Sequence, residues 1–244
     1  MSPSSLNSID FDLTRFDAAI VDLDGTTIDT LGDFAVALNR MLEDLGLATL
    51  PRERIELMIG KGSEHLILSA LQYVAAAEGA DASAALARAQ ARFDRGWERY
   101  QHHYLAINGQ HAAVYPGVVE GLRALRDRGL KLACLTNKPT AFAKPLLAQK
   151  GLDAFFERVF GGDAFERKKP DPLPLLKTCE ALGTQPARTL MIGDSSNDAR
   201  AARAAGCPVV LVSYGYNHGQ PVGSAGADAV VDRIDQVAGL LRPR

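Results

Sequence analysis

Cysteine is scarce in this 244-residue sequence, and its three cysteines, Cys134, Cys179 and Cys207, are widely separated. Their odd number and their spacing match neither a disulfide framework nor a common zinc-binding pattern. Each has apolar neighbours, so we interpret all three as reduced, buried thiols. Reduced thiols are typical of the cytoplasm, and we therefore expect a cytoplasmic protein.

Long apolar runs and excess positive charge are also missing. No run approaches the ~18 apolar residues needed to span a membrane, and the polar segment up to about Asp12 lacks the apolar stretch of a secretory signal. The formal net charge of −2 gives no basic surface for nucleic acid or an anionic membrane. The composition, with 47% hydrophobic and 23% charged residues, suits a globular protein that buries a sizeable core.

Two kinds of periodicity divide the chain. The apolar run from Ala18 to Val21 is too short for a core helix and predicts a buried strand. From Asp33 to about Tyr104, apolar residues recur at helical spacing, which predicts about four helices. After the turn at Tyr115-Pro116-Gly117, predicted helices and strands alternate, which indicates a parallel sheet covered on both faces.

The first strand must belong to this later sheet, because nothing in the helical segment can pair with it. We therefore predict an α/β fold with two domains. Residues 1–30 and 113–244 are expected to form the core that contains the sheet, and residues 31–112 an inserted all-α domain, which we call the cap. Residues 1–14 are expected to be a loose polar tail.

Two aspartates follow the first strand. Asp22 and Asp24 stand two residues apart and point to the same side of an extended chain, and Gly25 then permits a sharp turn. Such a pair can bind Mg²⁺ and divide the chemistry, with one acid as nucleophile and the other as proton donor and acceptor. The ordinary alternative is a turn, for which Asp and Gly are common choices.

Other polar residues are expected at the same edge, because ligands of an open parallel sheet bind beyond the carboxyl ends of its strands. Thr136 and Asn137 follow a second strand and can either hold an anion or cap the next helix. Lys169 precedes a proline, which favours an extended backbone, and it can either neutralise a phosphoryl oxygen or remain a solvated loop residue.

The last of these segments contains two acids. Asp194 ends another predicted strand, where an acid is hard to explain without a cation. Together with Asp22 and the Asp24 carbonyl, it would offer Mg²⁺ the oxygen ligands that this ion prefers. Asp198 begins a helix, where a capping role is the simpler explanation.

In combination, these segments resemble the haloacid dehalogenase-like hydrolase superfamily. Its four motifs match, in order, Asp22-Leu23-Asp24-Gly25-Thr26, Thr136, Lys169, and Gly193-Asp194 with Asp198. The helical insertion is similar to the C1-type cap of that family. The resemblance extends from about Phe16 to Ile234 and implies a Rossmann-like core, a Mg²⁺ cofactor and a small phosphorylated metabolite as substrate. We expect a monomer or homodimer.

The resemblance also implies a role for each matching residue. Asp22 would attack phosphorus and form an aspartyl-phosphate, while Asp24 would protonate the leaving group and then deprotonate water. Asp198 would orient the residues around the phosphoryl group and the metal ion, without binding the ion itself. The transferring oxygens would be held by Thr136, Asn137 and Lys169. An acid at Asp24 disfavours cleavage of carbon–halogen or carbon–phosphorus bonds.

Within the superfamily, several stretches are similar to the phosphoglycolate phosphatase group. They are Ile59 to Gly62, Tyr115 to Val118, Thr136 to Pro139, and Gly193 to Asp198. We therefore expect hydrolysis of 2-phosphoglycolate, with Lys61 of the cap contacting its carboxylate, although Lys61 can equally be an exposed lysine at a helix junction. The alternatives are a sugar-phosphate phosphatase, a phosphosugar mutase and a non-catalytic phosphate-binding module. The last is disfavoured because Asp22, Asp24, Lys169 and Asp194 are all present.

Overall fold

The computed structural model describes residues 16–240, and all element bounds refer to this range. The strands are β1 (Ala18–Val21), β2 (Ile28–Asp29), β3 (Ala113–Val114), β4 (Lys131–Leu135), β5 (Arg158–Phe160), β6 (Thr189–Gly193), β7 (Val209–Val212) and β8 (Ala229–Val231). The α-helices are α1 (Leu31–Asp44), α2 (Arg52–Glu56), α3 (Ser63–Ala77), α4 (Ala82–Ile107), α5 (Val118–Asp127), α6 (Thr140–Gln149), α7 (Leu173–Leu182), α8 (Ser196–Ala205) and α9 (Asp235–Leu240).

Within this range, six strands form one parallel sheet in the order β5-β4-β1-β6-β7-β8. The first strand is therefore central, and Val21 pairs with Cys134 of β4 on one side and with Ile192 of β6 on the other. Because the three strands are parallel and adjacent, the residues that follow them meet at one edge of the sheet.

The side chains of β1 alternate between the two faces of the sheet. Val21 is buried in a cluster with Leu122 of α5, whereas Ile20 is buried in a different cluster with Leu175 of α7. Both faces are thus covered by helices, which explains why the strand consists only of apolar residues. This packing fixes the central strand and with it the position of the acids that follow.

Helices α1 to α4 occupy the chain between β2 and β3, which pair antiparallel. The chain therefore leaves the parallel-sheet part and returns to it at neighbouring points. The four helices bury a cluster of their own, including Met41, Leu71 and Tyr100, and the same cluster contains Phe142 and Tyr216 from the parallel-sheet part. The helical segment is therefore packed directly against the edge at which β1, β4 and β6 end.

The α/β fold with a Rossmann-like parallel sheet is confirmed, and the differences from the predicted elements are local. The apolar pattern predicts a second helix that continues toward Gly60, whereas α2 ends at Glu56. It predicts that the last helix of the segment ends near Tyr100, whereas α4 continues to Ile107. The two-residue strands β2 and β3 were not predicted, because so short a strand has no detectable periodicity. The expected tail over residues 1–14 lies outside the described residues. Between residues 16 and 240, no helix is both long and apolar enough to cross a membrane.

Candidate active site

The turn after β1 brings the first pair of acids against the end of β6. Gly25 has a φ of +84°, and a Cβ atom there would lie 2.3 Å from Oδ2 of Asp194. Gly215 approaches the same carboxylate from another loop, with a φ of +98° and a hypothetical Cβ 2.6 Å from Oδ2. Only glycine fits at either position, since any side chain would collide with Asp194. Asp22, Asp24 and Asp194 are thereby gathered at one place.

Asp194 is oriented through both of its carboxylate oxygens. Oδ1 accepts a hydrogen bond of 2.9 Å from the Thr26 hydroxyl, and Oδ2 accepts one of 2.6 Å from the Tyr216 backbone N–H. Burial, followed by the negative charges of Asp198 and Asp22, raises the pKa of Asp194 well above its usual range. A cation beside these acids would relieve that repulsion.

Lys169 is a buried cation among these acids. Its Nζ donates to Oδ1 of Asp198 at 2.7 Å and to the Leu135 carbonyl at 2.9 Å, and it lies 2.8 Å from Oδ1 of Asp22. Burial favours the neutral amine, but the carboxylates of Asp198 and Asp22 outweigh this effect and raise the pKa of Lys169. The side chain is therefore a fixed positive charge and not a solvated loop residue.

Asp198 combines the two roles that the sequence left open. One carboxylate oxygen, Oδ1, holds Lys169, while Oδ2 accepts hydrogen bonds from the backbone N–H and the hydroxyl of Ser195 at 3.2 and 2.8 Å. Asp198 thus caps the start of α8 and orients the lysine at the same time. The side chain is completely buried, so both contacts are protected from water.

Asp22 has an unsatisfied oxygen. Its Oδ1 is buried and has no hydrogen bond, because Lys169 approaches it as an ion pair outside hydrogen-bonding geometry. Burial raises the pKa of Asp22 to about 7, with the charge of Lys169 lowering it and that of Asp198 raising it. The ammonium group of Lys169 therefore compensates this buried oxygen by its charge and not by a hydrogen bond.

These residues fit a divalent metal ion. One carboxylate oxygen from each of Asp22, Asp194 and Asp198 lies within 4.8 Å of the others. The acids around the cavity outnumber the buried ammonium groups there, which are those of Lys138 and Lys169. Clustered carboxylate oxygens with excess negative charge are the ligands that hard divalent cations prefer. The predicted metal residues Asp22 and Asp194 are thus brought together.

Asp24 turns its carboxylate toward a different partner. Its Oδ1 accepts a hydrogen bond of 3.0 Å from Nζ of Lys138, and the metal contact from the Asp24 carbonyl stays a prediction. The sequence analysis did not identify Lys138 as a site residue. The signal available was its position directly after Thr136 and Asn137, at the end of β4.

Thr136 and Asn137 are both buried at the end of β4. The Thr136 hydroxyl accepts a hydrogen bond of 3.1 Å from the backbone N–H of Lys138. The Asn137 side chain pairs with the backbone of Lys169, accepting from its N–H at 3.0 Å and donating to its carbonyl at 2.8 Å. Because the Asn137 amide is engaged in these contacts, its predicted phosphate-binding role stays a prediction.

A cavity lies between this edge of the sheet and the helical segment. Its lining combines the acids and lysines of the site with apolar residues of the helical segment. The lining residues are Asp22, Asp24, Phe34, Ile59, Gly60, Gly62, Ser63, Leu66, Thr136, Asn137, Lys138, Lys169, Ser195, Asn197 and Asp198. The cavity is therefore polar at the sheet and largely apolar at the helices, which suits a small substrate with one highly charged end.

The loop that contains Lys61 lies against the rim of this cavity. The Gly60 carbonyl accepts hydrogen bonds of 3.2 Å from the side-chain amides of both Asn137 and Asn197. Lys61 itself is exposed and does not belong to the lining. Burial lowers the pKa of His65 and of His218, and the positive charge of Lys61 lowers both pKa values further. Contact between Lys61 and a substrate stays a prediction.

Comparison with known proteins agrees with this architecture. The sequence model of the family described as haloacid dehalogenase-like hydrolase matches residues 16–206, which include all the motif residues. A protein of Nitrosospira multiformis named phosphoglycolate phosphatase is 44% identical over 225 residues, which cover 92% of this chain and 95% of that protein. A protein of Cupriavidus necator named phosphoglycolate phosphatase, plasmid, is 42% identical over 226 residues, or 93% of each chain.

Among solved structures, the crystal structure of a predicted phosphoglycolate phosphatase from Haemophilus somnus superimposes with a TM-score of 0.86. The two sequences are 30% identical, and the match covers 93% of this chain and 98% of the other. The family match extends over most of the chain, and the relatives match nearly all of it. This chain belongs to the haloacid dehalogenase-like hydrolase family.

Proposed function

We propose that this chain is a Mg²⁺-dependent phosphomonoesterase that hydrolyses 2-phosphoglycolate to glycolate and phosphate. The names of its relatives support this substrate. The observation that carries the proposal is the buried arrangement at the ends of β1, β4 and β6. There, Asp22 lies beside the fixed cation Lys169 and close to Asp194, while Asp24 shares the same cavity.

Phosphoryl transfer begins at Asp22. A carboxylate oxygen of Asp22 attacks phosphorus, the bond between phosphorus and the leaving oxygen breaks, and an aspartyl-phosphate forms. Asp24 gives its proton to the leaving oxygen, so glycolate departs as an alcohol and not as an alkoxide. Lys169, whose Nζ lies 2.8 Å from Asp22, neutralises charge on the transferring oxygens, and the buried Thr136 hydroxyl can donate to them.

Hydrolysis of the aspartyl-phosphate uses the same two acids in opposite roles, with Asp24 as the base and Asp22 as the leaving group. Asp24, now deprotonated, takes a proton from a water molecule as that water attacks phosphorus. The bond between phosphorus and the Asp22 oxygen then breaks, which releases phosphate and regenerates the carboxylate. Asp198 keeps Lys169 in place throughout, because its Oδ1 accepts the 2.7 Å hydrogen bond from Nζ.

Asp22, Asp194 and the Asp24 carbonyl would hold the metal ion. When bound, Mg²⁺ supplies positive charge that offsets the charge of the transferring phosphoryl oxygens. Support comes from the hydrogen bonds that fix Asp194, from the close approach of the Asp22 and Asp194 carboxylates and from the surplus of acids around the cavity. Asp198, although it is part of the same cluster, is committed to Lys169 and Ser195.

We also propose that residues 31–112 act as a cap domain and that residues 1–30 and 113–244 form the core. The helical segment supplies the apolar wall of the cavity, so it would exclude water from the reacting atoms and would limit the size of the substrate. The free, buried state of Cys134, Cys179 and Cys207 supports the expected cytoplasmic location.

A substrate panel tests the function. Phosphate release with Mg²⁺ is measured on 2-phosphoglycolate, other phosphorylated acids, sugar phosphates and nucleotides, and we expect the highest kcat/KM for 2-phosphoglycolate. A higher value for a sugar phosphate would assign a different substrate. Conversion of a sugar phosphate into its positional isomer, without phosphate release, would indicate a mutase. Absence of turnover on every compound would contradict the phosphatase assignment.

A further inference from the structure

Lys138 is a buried lysine that the proposed mechanism does not use. It is 3% exposed, and it lines the cavity at the end of β4. A buried ammonium group needs compensation for its lost hydration. Lys138 finds this compensation on two sides, one in the parallel-sheet part and one in the helical segment.

On the side of the sheet, the partner is Asp24. Nζ of Lys138 donates to Oδ1 of Asp24 at 3.0 Å, and within residues 16–240 this is the hydrogen bond that the Asp24 carboxylate makes. The contact holds one oxygen of the carboxylate in place. The other oxygen stays available for proton exchange, whereas a carboxylate without this partner can rotate among several orientations.

On the side of the helical segment, the partners are two aromatic rings. Nζ lies 4.3 Å from the centroid of the Phe34 ring in α1 and 4.7 Å from that of the Tyr104 ring in α4. Both distances are within the range of a cation–π interaction, which is strong for a desolvated ammonium group. Among residues 16–240 the Tyr104 hydroxyl has no hydrogen-bond partner, and the face of the ring is the part of this side chain that contacts the lysine.

We propose that Lys138 is a positioning residue that holds the Asp24 carboxylate toward the leaving oxygen, and that Phe34 and Tyr104 hold Lys138 in turn. The inference rests on the proposed function, because it requires Asp24 to exchange a proton with the substrate. It predicts that the acid is correctly oriented when α1 and α4 cover the cavity. Lys138 therefore links the packing of the helical segment to the chemistry at the end of β1.

The test uses the dependence of the rate on the leaving group. Lys138→Met removes the charge and keeps a long side chain, and Lys144→Met, which changes an exposed lysine of α6, is the matched control. Release of the leaving group is followed in single turnovers with p-nitrophenyl phosphate, ethyl phosphate and 2-phosphoglycolate. Nitrophenolate leaves without a proton, whereas the two alkyl leaving groups need one.

We expect Lys138→Met to slow both alkyl esters by roughly ten- to a hundredfold, the usual effect of losing one charge-assisted hydrogen bond, and to change p-nitrophenyl phosphate by less than about threefold. In the Asp24→Asn background, the same change should cause little further loss, because the two residues act as a unit. Lys138→Gln is the second variant, and melting curves confirm that each protein is folded.

Three outcomes would overturn the proposal. Equal losses on all three substrates would mean that Lys138 has a merely structural role. A loss on 2-phosphoglycolate but not on ethyl phosphate would mean that Lys138 binds the substrate carboxylate. Full additivity with Asp24→Asn would show that it does not act through Asp24. Failure of the proposed function is distinguishable, because the unsubstituted protein would then hydrolyse none of the three esters.

Discussion

At the scale of single residues, Asp22 differs from the other acids of the site in what surrounds it. Its Oδ1 has an ion-pair contact with Lys169 at 2.8 Å but no hydrogen bond, whereas both oxygens of Asp194 and of Asp198 accept hydrogen bonds. An oxygen that is held by charge alone, without a directed hydrogen bond, keeps its lone pairs available to attack phosphorus.

We predict that Asp22→Asn abolishes turnover and leaves the protein folded, because an amide is not a competent nucleophile and the substitution removes a buried charge. The rate of phosphate release should fall by roughly a thousandfold or more. Single-turnover assays and melting curves measure the two effects, and Asp127→Asn, at an exposed acid of α5, is the control. Substantial residual activity in Asp22→Asn would remove Asp22 from the nucleophile role.

A second prediction concerns Lys61. Because its side chain is exposed, its contribution to binding a carboxylate is screened by water, and Lys61→Ala should lower kcat/KM for 2-phosphoglycolate by no more than about fivefold. Kinetics on 2-phosphoglycolate and on p-nitrophenyl phosphate are compared. A loss of roughly thirtyfold or more, confined to the acid, would instead restore Lys61 as the residue that selects the substrate.

The site residues that the sequence revealed are those that follow strands. Asp22, Asp24 and Asp194 come directly after apolar runs, and parallel strands present such residues at a common edge. Lys138 also follows a strand, but its importance could not be recognised from that position, because it depends on Phe34, which is remote in sequence. The pairing of polar groups across a cavity is decided by packing and not by local pattern.

At the scale of elements, the junction between the sheet and α1 is held by a distant tyrosine. The Tyr216 hydroxyl accepts hydrogen bonds of 2.9 Å from the backbone N–H groups of both Thr30 and Leu31, and it donates to Oδ1 of Asp29 at 2.6 Å. Its own backbone N–H donates to Asp194. One residue therefore contacts both the start of α1 and the proposed metal site.

We predict that Tyr216→Phe destabilises the protein by about 1–3 kcal/mol, because the buried Thr30 N–H loses its acceptor and the Leu31 N–H keeps only its longer bond of 3.2 Å to Asp29. The Mg²⁺ affinity should change little, since the contact with Asp194 comes from the backbone. Urea unfolding and a Mg²⁺ titration measure the two quantities, with Tyr73→Phe, at an exposed tyrosine of α3, as the control. A large loss of Mg²⁺ affinity together with unchanged stability would contradict this interpretation.

Periodicity identified the longer elements well and the junctions poorly. The apolar pattern predicts a helix over Leu173 to Leu182 and a strand over Ala229 to Val231, and the structure has both elements with these bounds. The strands Ile28–Asp29 and Ala113–Val114 escaped prediction, because a two-residue strand is defined by its partner and not by its own pattern. Helix α2 ends early because the chain must turn at Gly60, where φ is +107°.

At the scale of the whole molecule, the excess of negative charge around the cavity should couple metal binding to stability. We predict that Mg²⁺ raises the Tm of the metal-free protein, because an ion that binds the folded state stabilises it by about 2.7 kcal/mol at a concentration one hundred times its Kd. The effect should be strongly reduced in Asp194→Asn and Asp194→Ala, which should also need more Mg²⁺ for activity.

Thermal unfolding in the presence of a chelator and then with increasing Mg²⁺ measures this coupling. Asp228→Asn, which changes an acid outside the cavity, controls for general effects of lost charge. An unchanged Mg²⁺ titration in Asp194→Ala, or full activity after chelation, would place the metal elsewhere.

The pairing of β2 with β3 has a consequence for how such an enzyme can diversify. Ile28 and Asp29 lie beside Val114 and Ala113, so the whole helical segment begins and ends at one short ladder. An insertion with adjacent ends can be lengthened, rebuilt or exchanged while the strands that carry the aspartates keep their register. Evolution can therefore change the residues that line the cavity while the residues for phosphoryl transfer stay in place. A helical segment grafted at the same ladder in the laboratory would change the lining in the same way.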